Sequence, residues 1–383
     1  MKLVQRTLGQ IDPPVGLVDD LRKTSKVQPV LDLAQGAPVH PPAPSVVERI
    51  REVALDPDGG RYTPGAGLPA LRAALAEDLS EDYGAKVGAR NVLITAGSNQ
   101  AFCLTASALA EAGDEVILSV PFYFNHDMWL RLDQLRPIYV DTDPTTGQVV
   151  VDRVAEGITS RTRLVVLTSP GNPTGVTASP DLLDELADLT RDRGVVLVLD
   201  ETYRAFRQAP GPPHRLLQRR DWTDYVVSLQ SFSKDYALPG YRVGAVVGAP
   251  PLLDEVIKLM DCIAICAPRI GQEAALAALR TARQWRADRA EEVSATHEKF
   301  KEVMATAPGG FELQTSGGFY GWVRHPLSNM SGVEVVRRLA AECGLLTIPG
   351  DVFTPDVSAF IRVSFANVTE EGLEEFASRL EKF

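Results

Sequence analysis

The 383-residue chain is poor in cysteine and histidine, has no long apolar run, and carries no excess of positive charge. Its four cysteines, Cys103, Cys262, Cys266 and Cys343, are too few for a disulfide framework in a chain of this length. No second Cys or His pair stands near Cys262 and Cys266 at metal-ligand spacing, so reduced thiols and no metal site are expected. No stretch reaches the roughly 18 apolar residues that a membrane helix needs. The opening MKLVQRTLGQIDPPVGLVDD lacks the apolar run of a secretory signal, and a cytoplasmic protein is expected. The formal net charge of −11 argues against a nucleic-acid or anionic-membrane partner. It leaves room for a bound phosphate, because a few backbone amides and one or two cations suffice.

What is present is globular. Hydrophobic residues make up 45% and charged residues 23%, and the length allows two domains. Residues 1–45, with Pro13-Pro14, Pro38, Pro41-Pro42 and Pro44, read as an irregular arm that packs with the small domain. Ser45 is placed to cap a helix through Val46, Val47, Ile50 and Val53. Leu68–Leu79 also has helical spacing. From residue 91 short apolar runs alternate with helical segments such as Gln100–Ala112 and Asp181–Arg193. The runs are Asn91–Thr95, Glu115–Val120, Pro137–Val140, Arg163–Thr168, Val195–Leu199, Tyr225–Leu229 and Val243–Val247. Their lack of alternation predicts strands buried on both faces of a mostly parallel α/β sheet. A long polar helix over Ala282–Ala305, a strand over Gly318–Val323, a helix near Val333–Cys343, a strand over Phe360–Phe365 and a last helix from Glu370 predict a smaller α+β domain. The division expected is 1–45, 46–275 and 276–383.

Ligands of such sheets sit beyond the carboxyl ends of the strands, and five strand ends carry polar residues. NVLIT runs into Ala96-Gly97-Ser98-Asn99-Gln100 and a helix, a turn suited to phosphate or simply a strand–turn–helix junction. RLVVLTSP runs into Gly171-Asn172-Pro173-Thr174-Gly175, where Asn172 is the main polar group of a tight turn; an ordinary Asn-Pro turn reads the same way. VVLVLD ends in Asp200, followed by Tyr203; the carboxylate either caps a helix or meets a positive partner such as a protonated ring nitrogen. YVVSLQ ends in Ser231-Phe232-Ser233-Lys234, with Arg242 eight residues on, and lysine is the residue that forms Schiff bases. FIRVSF holds Arg362, whose planar fork suits a carboxylate or a structural salt bridge. Together the phosphate donors, asparagine, aspartate, lysine and arginine are expected at the strand ends of one sheet.

At this point the sequence resembles the class I/II aminotransferases, fold-type I pyridoxal phosphate enzymes related to aspartate aminotransferase, from about Leu33 to the C-terminus. YTPGAGLPALR from Tyr62, SPGNPTG from Ser169, SFSKDYALPGYRVG from Ser231 and RVSFA from Arg362 carry the likeness. The resemblance implies an aminotransferase that moves an amino group from an L-amino acid to a 2-oxo acid. Lys234 would hold pyridoxal 5'-phosphate as an aldimine and later shuttle the α-proton. Asp200 would pair with the ring nitrogen, and Asn172 and Tyr203 would hold its phenolic oxygen. Ser98, Asn99, Ser231 and Arg242 would bind the phosphate, with Gly97 shaping the turn. Tyr123 would stack on the ring, and His126, after Asn125, would back up Asp200. Arg362, helped by the Gly36 amide, would clamp the substrate carboxylate. Tyr62 would reach the phosphate of a neighbouring subunit, which implies a homodimer.

The resemblance leaves the reaction and the side chain open. A cyclase, lyase or oxidase of a specialised biosynthetic pathway, similar to capreomycidine synthases, is the alternative. Arg269 is placed either to read a distal carboxylate or to serve structure. Ile11, Pro14 and Val15 of the arm are possible lid contacts that would fit a neutral or aromatic substrate. A DNA-binding domain of the kind some regulators fuse to this fold is not expected, given the acidic charge and the start of the resemblance near Leu33.

Overall fold

The computed structural model describes residues 4–207 and 209–383 and, of Val15, the backbone alone. The expectation for the Val15 side chain therefore lies outside the described residues. A two-residue strand, β1 (Leu31–Asp32), precedes the main sheet. That sheet is built from β2 (Val92–Thr95), β3 (Glu115–Val120), β4 (Arg136–Asp141), β5 (Thr162–Thr168), β6 (Val196–Asp200), β7 (Val226–Ser231) and β8 (Gly244–Val247). Its order is β2-β8-β7-β6-β5-β3-β4. The strands β3 to β7 run parallel, and β8 is antiparallel to both neighbours.

Burial on both faces explains the unbroken apolar runs. Leu197 and Leu199 of β6 enter the core under helices Pro69–Tyr83, Pro180–Asp192 and Arg269–Thr281, whereas Val198 enters the core under Ser98–Leu109 and Pro250–Ala264. Each successive residue thus meets an apolar layer, and alternation is lost. Such a sheet leaves only its strand ends for polar chemistry.

The second sheet is antiparallel: β9 (Glu312–Gly317), β10 (Tyr320–Arg324), β12 (Ile348–Pro349) and β13 (Phe360–Ser364), in the order β12-β13-β10-β9. Between them β11 (Leu345–Leu346) pairs in parallel with β1. The run expected from Gly318 becomes a strand only at Tyr320, because Gly318 and Phe319 make the turn from β9.

Four sequence expectations change. The arm is not irregular, since Gln5–Leu8 and Pro14–Thr24 are helical. Pro14 sits at the first helical position, where its missing N–H is unneeded, and Val18 and Leu21 are buried with Leu339 and Leu345. Ser45 caps nothing: the helix Pro44–Leu55 starts one residue earlier, and the Ser45 hydroxyl lies 2.8 Å from that of Thr281. Residue 275 falls inside helix Arg269–Thr281, which packs on the large core until Ala282. Arg362 is mid-strand in the antiparallel sheet, so the polar set comes from two sheets. Among the described residues, no helix is long and apolar enough to cross a membrane, and no acidic, His or Cys cluster could hold a metal ion.

Candidate active site

The ends of β2, β5, β6 and β7 meet one face of the small sheet around a cavity of about 280 Å³. At the end of β2 the chain turns through Gly97 with φ +86°, and helix Ser98–Leu109 begins without a side-chain cap. The first amides of that helix are therefore free. A Cβ on Gly97 would lie 2.4 Å from Arg242 Nη2, so only glycine lets the guanidinium settle on the turn. Arg242 donates to the carbonyls of Pro239 (2.8 Å) and Ala96 (3.3 Å), and no carboxylate pairs with it among the described residues. Ser98, Asn99 and Ser231 line the same end of the cavity. Free amides, hydroxyls and an unpaired cation make a cradle for a phosphate.

Asp200 ends β6 and is buried. Its Oδ1 accepts from the Thr202 amide (3.1 Å) and hydroxyl (2.7 Å), and its Oδ2 lies 3.3 Å from His126 Nε2. No lysine or arginine reaches it among the described residues. A buried carboxylate backed by one imidazole suits a further positive group on its open side. Tyr123 stands at the start of the helix that carries His126, edge-on to that imidazole, with its hydroxyl 3.4 Å from Asn99 Oδ1.

Lys234 follows β7 and is half-buried, its open part lining the cavity. Burial, and then the like charges of Arg362 and Arg242, lower its amine from 10.5 to about 8. Both neighbours are cations, so nothing rewards the ammonium form. A pKa near 8 leaves a fraction of the amine neutral near physiological pH, and the neutral form is the one that attacks a carbonyl.

Arg362 is buried, yet it has no carboxylate partner among the described residues. It donates to Asn172 Oδ1 (2.8 Å) and the Ala34 carbonyl (2.5 Å), and its Nε is buried without an acceptor. The guanidinium lies 4.3 Å from the ring centre of Tyr320. A buried arginine with spare donors beside a cavity is built to receive an anion. Asn172 in turn donates to the Tyr203 hydroxyl (3.3 Å), and that hydroxyl is 2.6 Å from the hydroxyl of Tyr320. Burial raises the phenol pKa of Tyr203 well above the usual value, so it stays a hydrogen-bond donor.

Of the residues singled out from sequence, Ser98, Asn99, Tyr123, Asn172, Asp200, Tyr203, Ser231, Lys234, Arg242, Gly36 and Arg362 line one cavity. Gly97 and His126 stand directly behind it. Tyr62 is 75% exposed and outside it. Arg269 is 3.8 Å from Glu273 on its own helix and does not line it. In the arm Pro14 contributes to the wall, while Ile11 is exposed. Sequence reasoning gave no role to Thr202, Phe124, Ile348 and Tyr320. Thr202 had a signal, lying two residues after a buried aspartate, where a hydroxyl reaches back to the carboxylate. The other three had none, since each reads as an ordinary core residue.

Residues 28–380 match the model of the family described as aminotransferase class I and II. The aromatic aminotransferase ISS1 of Arabidopsis thaliana is 30% identical over 387 residues, with 99% of this chain and 95% of the relative covered. An aspartate aminotransferase of Pyrococcus horikoshii is 27% identical, covering 94% of this chain and 92% of the relative. Among solved structures, aspartate aminotransferase from Thermus thermophilus with maleate superposes with a TM-score of 0.89 at 25% identity, covering 100% of this chain and 99% of that one. The chain belongs to the aminotransferase class I and II family.

Proposed function

We propose that this aminotransferase uses pyridoxal 5'-phosphate held on Lys234 to move an amino group from an L-amino acid to a 2-oxo acid. One observation carries the reading: an amine with its pKa lowered to about 8 faces a cavity also lined by a buried carboxylate, Asp200, that meets no lysine or arginine among the described residues, and by an anion cradle. Those residues fit the cofactor at each of its polar groups. When bound, it supplies an electron-withdrawing ring that stabilises negative charge at the amino acid's α-carbon.

The chain's own groups do the rest. Gly97, Ser98, Asn99, Ser231 and Arg242 hold the phosphate. Asp200, steadied by His126 and Thr202, keeps the ring nitrogen protonated, because an adjacent negative charge favours the charged form. Asn172 and Tyr203 hydrogen-bond the phenolic oxygen, and Tyr123 covers the ring. Arg362, with the Gly36 amide, orients the substrate by its α-carboxylate. The Lys234 amine takes the α-proton and returns it one position away. Tyr62 serves a second copy, so the working form is a homodimer in the cytoplasm. Pro14, Val18, Phe124 and Ile348 form the apolar part of the wall, and the cations lining it among the described residues of this chain, Lys234, Arg242 and Arg362, already have roles. Substrates with apolar side chains follow.

Borohydride reduction and peptide mapping should label Lys234; a label on Lys86 or Lys258 would refute the assignment. An amino-acid panel with a 2-oxo acid acceptor should give a keto product and a new amino acid. Ammonia, peroxide or a cyclised product without acceptor would show a different reaction.

A further inference from the structure

We infer that Tyr320 is a positioning residue that ties carboxylate capture at Arg362 to the hydrogen bond Tyr203 makes to the cofactor. The inference rests on the cofactor reading above. Tyr320 opens β10, and Arg362 lies in the neighbouring β13, opposite Trp322. Tyr320 and Arg362 are thus diagonal neighbours on one face of the small sheet, within reach of long side chains. The tyrosine ring lies under the guanidinium at 4.3 Å, and its hydroxyl reaches across to Tyr203 of the large sheet at 2.6 Å. Asn172 joins the other ends, accepting from Arg362 at 2.8 Å and donating to Tyr203 at 3.3 Å. The four side chains form a closed loop that spans both sheets.

Proton counting sets the direction around that loop. The Tyr203 hydroxyl has one proton and two lone pairs. A phenolate oxygen cannot donate, so Tyr203 must spend its proton there. The Tyr320 hydroxyl then donates to Tyr203, and that donation strengthens Tyr203 as a donor. The same contact explains Gly36. A Cβ at that position would lie 1.9 Å from the Tyr320 hydroxyl oxygen, so any side chain would push the hydroxyl off Tyr203. The ring face gives the guanidinium a partner that uses none of its N–H donors, which stay available to a carboxylate.

Two holoenzyme variants separate the two contacts. Tyr320→Phe keeps the ring under Arg362 and removes the donor. The midpoint of the pH titration of the visible absorbance band should rise by roughly 0.5–1 pH unit. KM for the amino acid chosen by the panel should stay within about threefold, because the cation's partner is retained. Tyr320→Leu removes both contacts and should add a rise in KM of about tenfold to the same spectral change. A coloured Tyr320→Phe enzyme with an unchanged or lowered midpoint overturns the inference, since a merely structural tyrosine would leave the titration alone. A leucine variant with the KM of the phenylalanine variant overturns the Arg362 arm. If leucine prevents folding, the phenylalanine titration still decides. A wild-type protein that never takes up colour overturns the cofactor reading, and the inference falls with it.

Discussion

The Lys234 amine carries a stability cost that can be measured without any substrate. Its pKa falls from 10.5 to about 8 because burial and two neighbouring cations disfavour the charged form. That fall corresponds to about 3 kcal/mol held against the folded state. Below pH 8 the amine is protonated both folded and unfolded, and the whole cost is present. Between pH 8 and 10.5 the folded chain sheds the proton while the unfolded chain keeps it, so stability rises with pH. Above 10.5 both forms are neutral and the cost is gone. Lys234→Met retains the bulk and removes the charge. Free of cofactor, the methionine variant should exceed the wild type by up to about 3 kcal/mol at pH 7, and the gap should close by pH 10.5. Urea unfolding of both cofactor-free proteins across that range measures it, and the difference between them isolates the lysine from every other titrating group. A methionine variant no more stable at pH 7, or one whose advantage persists unchanged to pH 10.5, refutes the argument. The expected outcome is a local instance of stability given up for an active site.

Asp200→Asn should leave the visible band in place and lower turnover by about a hundredfold or more, because the ring nitrogen loses the charge that keeps it protonated. Turnover within threefold of wild type would remove Asp200 from the chemistry. Arg362→Lys loses the fork shared with Asn172 and Ala34, and steady-state kinetics should show kcat/KM down roughly 10- to 100-fold, mostly through KM. Gly97→Ala forces a methyl to 2.4 Å from Arg242 at a left-handed φ. The cofactor dissociation constant should rise at least about tenfold while the cofactor-free protein melts within a few degrees of wild type.

The main sheet was legible because its strands are buried on both faces, which strips them of polar residues and makes each polar strand end conspicuous. Asp200 and Lys234 stood out for that reason. The arm was less legible. Its prolines suggested loop, but Pro14 occupies a helix start, and whether Val18 and Leu21 form a buried stripe depends on the small domain lying beneath them. Ser45 had the chemistry of a cap, yet the helix began at Pro44, and its hydroxyl turned to Thr281 on a distant helix.

Taken alone, the sequence determined the family, the strand–helix order of the main sheet and the lysine that follows its β7 strand, because those depend on residue types at fixed short spacings. Tertiary structure decided what those residues meet. Residues 162 apart, Arg362 and Asp200, share a cavity only because the small sheet is docked at the strand ends of the large one. Tyr320 looked like one more core aromatic until β10 carried its hydroxyl to Tyr203 and its ring under Arg362. Hydrogen bonds and cation–ring contacts act over a few ångströms, and no spacing along the chain encodes which distant side chains will come that close.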